Sequence, residues 1–324
     1  MKRLCLSIAA ASLIFANYSG SARAQDYPQQ TIRFIVSFGP GGGADIVGRI
    51  LAESMQKQLG KPVIIENKPG AGGIIGNDAV AKAKPDGYTL GIMTAGQIIA
   101  ATTRKSMPYD TNTAFAPITQ VATASLLIAT RPDFPANNVK ELVAQAKANP
   151  GKIVFASPGF GATQHFAGEM FKQIAGIDLL HVPFKTSPEA LNAVLGKHAD
   201  ILFDTVSALI GHVKSGQIKA LAVTGKDRFA PVPDIPPAAD SGVLPGYDVT
   251  TWYGVFAPKG TPPAVIAKLN KVINESLKEE DVKKRMDAVG VVVKGSTPEE
   301  FGRFLASEYS RWDKVRETAK IPKQ

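Results

Sequence analysis

The chain has 324 residues, a formal net charge of +9 and a single cysteine. That length exceeds what one hydrophobic core ordinarily fills, so about two domains are expected. The basic residues are scattered rather than gathered into a stripe with interleaved aromatics, which argues against a nucleic-acid surface, and a lone cysteine excludes a disulfide framework.

Lys2 and Arg3 precede an apolar run over residues 4–15 that is too short to cross a bilayer, and Ala22-Arg23-Ala24 is a small-x-small cleavage site. Residues 1–24 therefore read as a signal peptide, cut near Ala24, that sends the mature chain to the periplasm. Cys5 lies at the start of the apolar run and not at the cleavage point, which argues against a lipid anchor and leaves the mature chain without thiol chemistry. Losing Lys2, Arg3 and Arg23 lowers the formal charge to about +6. No later stretch reaches the roughly 18 uninterrupted apolar residues of a membrane helix, so a soluble exported protein is expected.

Residues 31–37 are β-branched and aromatic and read as a buried strand. A glycine-rich turn, Phe38-Gly-Pro-Gly-Gly-Gly-Ala-Asp45, then opens an amphipathic helix over 45–59 that Gly60 stops. Such a turn is an anion site in form: the backbone can approach a ligand closely, and the helix N-terminus offers unpaired N–H groups. A strand over 62–66 leads into a second glycine-rich turn, 67–73, and a second helix. After the turn Pro85-Asp86-Gly87, a third strand over 88–94 ends in an expected small polar loop at 95–97. The pattern restarts near Ser125, with strands expected at 126–130, 153–156, 179–184, 199–204 and 218–223. Helices are expected at 139–148, after 163, at 188–195 and at 206–214. A proline-rich connection, 229–246, follows. The end of the chain holds an aromatic strand over 250–257, helices at 263–277, 282–289 and 298–319, and a short strand at 291–293. Thr297 and Glu300 have capping-box spacing.

This alternation implies an α/β protein of two units, each a mostly parallel sheet flanked by helices, with small polar loops at the carboxyl ends of the strands. The helical end of the chain lacks a sheet of its own and is expected to pack back on the first unit. Domain 1 would then be 25–124 plus 250–324, and domain 2 would be 125–249. Two crossovers near Ser125 and 248–251 suit a hinge that closes on a ligand.

Gly39, Gly41 and Ala44 fit a dinucleotide-binding pattern, and Glu66 stands where a ribose-binding acid would. Against this, Pro40 removes an N–H from the turn, and an exported protein meets little free dinucleotide. His165, His181, His198 and His212 lack metal-ligand spacing, and there is no nucleophile elbow, so no metal, cofactor or catalytic group is assigned. His165 could donate to an anion or serve locally, Asp45 could cap its own helix, Asp204 could face a ligand or cap the next helix, and Phe38 and Phe160 could be contact or core.

Gly41–Asp45, Glu66–Gly73, Pro85–Leu90, Met107–Asp110, His181–Phe184, Leu221–Thr224, Trp252–Gly254 and Ala257–Pro262 occur together in an order that resembles the Bug family. These are the exported TctC-like receptors of tripartite tricarboxylate transporters, and the resemblance covers nearly the whole chain. It implies a two-domain periplasmic binding protein of the Venus-flytrap type, with the ligand cleft between the domains. It also implies a small organic mono- or dicarboxylate ligand, delivery to membrane permease subunits, a monomer, and no enzymatic activity. By the same resemblance one carboxylate meets backbone N–H groups of Gly42, Gly43 and Ala44 in the first loop and Ala71, Gly72 and Gly73 in the second; Phe38 and Asp45, beside the first loop, are added as ligand-site candidates on their position alone. The distal part of the ligand meets Ser157, Thr163, His165 and Asp204. Ala44, where the family usually has Thr or Ser, removes one hydroxyl; Thr186 stands where glycine is common; and Lys197-His198 replaces a glycine-rich pair. Two other readings remain at this point: a ligand-loaded sensor for a membrane signalling partner, and an exported enzyme using His165 with Asp204.

Overall fold

The computed structural model describes residues 27–318 and 323. The expected signal peptide and the last residue of the expected final helix lie outside the described residues.

Three parallel strands begin the fold: β1 (Ile32–Val36) lies between β2 (Val63–Asn67) and β3 (Thr89–Thr94). Between them run α1 (Gly43–Leu59) and α2 (Ile74–Ala81). Val47, Leu51 and Met55 recur at helical spacing and bury one face of α1 against Phe34 and Val36. Gly60 ends α1 in the left-handed region (φ 65), its N–H bonded to the Gln56 carbonyl.

Residues 95–97, expected as a loop, instead begin α3 (Ala95–Thr103) directly at the end of β3. The reason is a capping box: the Thr94 hydroxyl accepts from the Gly96 N–H, and Gln97 Oε1 accepts from the Thr94 N–H. The expected strand at 126–130 is the end of a longer one, β4 (Phe115–Thr130, 16 residues). Its first part pairs antiparallel with β9 (Thr250–Pro258), and its last five residues pair with β7 (Ile201–Thr205). Bulges between Pro117 and Thr119 and between Gln120 and Ala122 break the two-residue period that would have betrayed its length.

The second half repeats the scheme with α4 (Val139–Ala148), β5 (Val154–Ser157), α5 (Thr163–Ala175), β6 (Leu180–Pro183), α6 (Ser187–Leu195), β7, α7 (Val206–Lys214) and β8 (Lys219–Val223). β5 pairs in parallel with β6 and β7, and β8 adds antiparallel to β4. The chain ends with α8 (Pro263–Ser276), α9 (Glu280–Ala288), β10 (Val292–Val293) and α10 (Pro298–Thr318). The expected capping box at Thr297 is present, with the Glu300 N–H donating to Thr297 Oγ1 and the Thr297 N–H to Glu300 Oε2.

The sheet order is β2-β1-β3-β9-β4-β7-β5-β6, so two parallel arms flank an antiparallel centre, β9 with β4. One core lies under α1 and α8 around Phe34, Leu51, Leu269 and Ile273. A second joins α3, α5 and α10 through Ile98, Phe155, Phe166, Phe203, Phe301 and Trp312, with Phe166 edge-on to Trp312 at 5.3 Å.

Candidate functional site

The carboxyl ends of strands from both arms converge on one cavity. Phe38, Gly39, Gly42, Gly43 and Ala44 line it from the first loop, with Thr94, Thr251 and Tyr253 from the central strands. Pro158, Thr163, Gln164, Thr186, Ser187 and Thr205 line it from the second half. The walls stand close: the space open to water-sized molecules is about 30 Å³. A Cβ on Gly39 would stand 2.5 Å from Thr186 Cγ2, one on Gly72 2.5 Å from the Gly161 carbonyl oxygen, and one on Gly43 2.6 Å from the Ser207 hydroxyl. Glycine at these three positions lets the two halves meet.

Two of the helices that end at this cavity have the same N-terminal build. Gly42 precedes α1 with φ −81 and ψ 164, and Ala162 precedes α5 with φ −74 and ψ 163; neither offers a side-chain cap. Gly41 and Gly161, one residue earlier, both have φ +80. Each of these two N–H groups turns back to the third helical residue, Gly41 to Asp45 Oδ2 at 3.0 Å and Gly161 to His165 Nδ1 at 3.1 Å. The first intrahelical bonds run from Ile46 to Gly42 and from Phe166 to Ala162. The earlier first-turn N–H groups of both helices therefore have no intrahelical acceptor, and they open at the cavity wall. By contrast Thr94, Thr186 and Thr205 cap α3, α6 and α7 with their own hydroxyls. Among the described residues no Lys or Arg lines the cavity.

Asp45 is 3% exposed and fully engaged beneath the first loop. Oδ2 accepts from Gly41 and from Arg49 Nε at 2.9 Å, and Oδ1 accepts from Asn67 Nδ2, which also donates to the Phe38 carbonyl. Burial alone would raise its pKa, but the bonds from Arg49, Asn67 and Gly41 outweigh that and hold it below the usual carboxylate range.

His165 sits in a column of rings. It stacks on His181 at 4.1 Å and against Phe160 at 4.6 Å, and His181 stacks on Phe155 at 4.5 Å. His181 Nε2 shares a 2.8 Å hydrogen bond with Ser157 Oγ. Burial, reinforced by Lys172, pushes His165 down to about 4; burial, His165 and Lys172 push His181 down to about 3. Both rings are therefore neutral at neutral pH, and the column props the 157–163 loop from behind.

Asp204 is fully buried behind the wall, beside cavity-lining Gln164, Ser187 and Thr205. Oδ1 accepts from Gln164 Nε2 at 3.1 Å and from the Thr205 N–H at 2.7 Å. Burial pushes the carboxyl up to about 6, against the lowering influence of the nearby Ser187 hydroxyl and the bonds from Thr205 and Gln164. Its Oδ2 nevertheless has no complete hydrogen bond. The cap of α7 is Thr205, not Asp204, its hydroxyl accepting from the Ala208 N–H.

Of the residues expected at the site, Phe38, Gly42, Gly43, Ala44 and Thr163 lie on the cavity wall. Asp45, Ser157, His165 and Asp204 lie behind it, committed to the internal bonds described above. Ala71, Gly72 and Gly73 form a 3-10 turn before α2, where Gly72 meets Gly161 of the opposite loop. Phe160 is exposed, against the end of the histidine column. Sequence reasoning missed Thr94, Gln164, Thr186, Ser187, Thr205, Thr251 and Tyr253. The threonines at helix starts carried a capping signal, and Gln164 directly follows Thr163; nothing local marked Tyr253.

The family model described as "Tripartite tricarboxylate transporter family receptor" matches residues 47–321. Among solved structures, the chain is similar to the periplasmic binding protein BugD, with 38% identity over 92% of this chain and 100% of that one and a TM-score of 0.88. It is also similar to R. palustris Rpa4515 with adipate, at 30% identity, 92% and 99% coverage and a TM-score of 0.87. MatC (Rpa3494) from Rhodopseudomonas palustris with bound malate gives 31% identity, 89% and 99% coverage and a TM-score of 0.84. The architecture is thus that of two-domain periplasmic binding proteins, and the relatives are periplasmic solute-binding proteins.

Proposed function

The chain belongs to the tripartite tricarboxylate transporter receptor family, and from that premise we propose that it captures a small organic dicarboxylate in the cavity and delivers it to the permease subunits of such a transporter. The observation that carries this reading is the pair of matched, uncapped helix N-termini, α1 and α5, facing one cavity from the two halves. Each can hold a carboxylate by backbone N–H groups and the helix dipole, without a cationic side chain. The adipate and malate bound by the two Rhodopseudomonas palustris proteins have a carboxylate at each end, in keeping with this reading. In this reading the domains are 25–124 plus 250–324 and 125–249, a division supported by the change of β4's partner from β9 to β7 between Ser125 and Leu126 and by the start of β9 at Thr250. Residues 1–24 act as the export signal, and the protein works as a monomer without turnover of its ligand.

A thermal-shift screen against dicarboxylates, citrate, acidic amino acids and aromatic acids tests the reading. A ligand at about 100 times its Kd should stabilise the protein by about 2.7 kcal/mol. No shift with any carboxylate, alongside a shift with NAD, would overturn it in favour of a nucleotide site.

A further inference from the structure

Gln164 is the second residue of α5, lies on the cavity wall, and is 9% exposed. Its Nε2 donates to Asp204 Oδ1 at 3.1 Å. An ionised carboxylate can only accept hydrogen bonds, so this contact decides which end of the amide is turned inward. The NH2 group faces Asp204, and Oε1 is not among the buried side-chain atoms left without a partner, which is consistent with an oxygen open to the cavity that Gln164 lines. Thr205 holds Asp204 in turn, its N–H donating to Oδ1 at 2.7 Å. Tyr253, on the opposite wall, is pushed up to about 12 mainly by burial and remains a neutral phenol.

We propose that Asp204 is a positioning residue that locks the Gln164 amide, so that Oε1 presents an acceptor to the ligand and selects dicarboxylates bearing a hydroxyl or ammonium donor over plain ones. The proposal rests on the carboxylate reading above and adds to it the chemistry between the two carboxylates. The N-termini of α1 and α5 supply donors for the ends of the ligand. Those backbone donors serve the carboxylates and leave the chain between them to other groups of the wall. Gln164 Oε1 adds the complementary group: a ligand hydroxyl satisfies it, whereas a methylene leaves it desolvated and unpaired.

The test is calorimetric titration of the protein with malate and with succinate, which differ by one hydroxyl, at about pH 8, where Asp204 is ionised. Malate is expected to bind on the order of fivefold more tightly, the worth of one neutral hydrogen bond. Gln164→Met keeps the bulk of the side chain and removes the acceptor, so the ratio should fall to about one. Asp204→Asn can donate or accept, so the amide is no longer fixed, and the ratio should fall there too; near-ultraviolet circular dichroism checks that each variant is folded. If Asp204→Asn fails to fold, the Gln164→Met ratio decides. Equal binding of malate and succinate by the unmodified chain, or a preference that survives in folded Gln164→Met, overturns the proposal and leaves the carboxylate reading standing. Failure of every carboxylate to bind overturns both.

Discussion

His165 and His181 carry a pH dependence whose sign follows from their burial. Their pKa values are lowered from 6.5 to about 4 and about 3, so the neutral rings stabilise the fold above pH 6.5 and that stability drains away as pH falls. Asp204 acts in the opposite direction: raised from 3.8 to about 6, it costs stability when ionised and returns it as pH falls below about 6. Two imidazoles against one carboxyl leave a net loss, and Tm should fall between pH 7 and pH 4. His165→Phe keeps a ring in the column but removes one charge; it loses the Gly161 bond at every pH, so the slope is the informative quantity. The variant should lose about 2–3 kcal/mol less than the parent by pH 4, and melting curves across that range with an unaltered slope would refute the assignment. At this scale the sequence was partly legible. Gly42, Gly43 and Ala44 were readable as residues of the cavity wall because a glycine run at a strand-to-helix turn has a local meaning. His165 and Asp45 were ambiguous because one residue type serves a ligand or its own loop, and only the atoms around it decide which.

Among the elements, α3 shows how local chemistry can be present and still be misread. Ala95-Gly96-Gln97 has the composition of a loop, yet Thr94 and Gln97 form a capping box with distances of 2.7 and 3.2 Å. Thr94→Ala removes the hydroxyl half of that box and should cost about 1 kcal/mol, read as a lower midpoint in urea with the slope of the transition unchanged. Thr94 also lines the cavity, so ligand-free protein is the right material for the measurement. β4 was foreseen only in its last five residues. Its earlier part carries Pro117 and two register shifts, which scramble alternation, and what makes it a strand is β9, more than a hundred residues further along the chain.

For the molecule as a whole, closure depends on backbone meeting backbone. A Cβ on Gly72 would stand 2.5 Å from the Gly161 oxygen and 2.8 Å from its carbonyl carbon, and Gly72 has φ +69, where a side chain is strained. Gly72→Ala should therefore hold the two halves apart. Small-angle scattering should find that saturating ligand no longer reduces the radius of gyration, and affinity should drop by at least tenfold, about 1.4 kcal/mol. A variant that contracts on ligand as the parent does would show that the two loops need not touch.

The sequence by itself determined what short stretches of chain decide: strand, turn and helix periods, helix stops such as Gly60, the two-unit α/β plan, and a glycine loop able to hold an anion. These depend on residues a few positions apart, so they survive without the rest of the chain. The tertiary structure alone decided that β9 and β4 join the two arms antiparallel and that the loops of 38–44 and 157–163 face each other as near copies. It also placed Asp204 behind Gln164, bonded to its amide. Each of these joins residues far apart in the chain, and a buried polar group reveals its role only through the partner that folding brings to it.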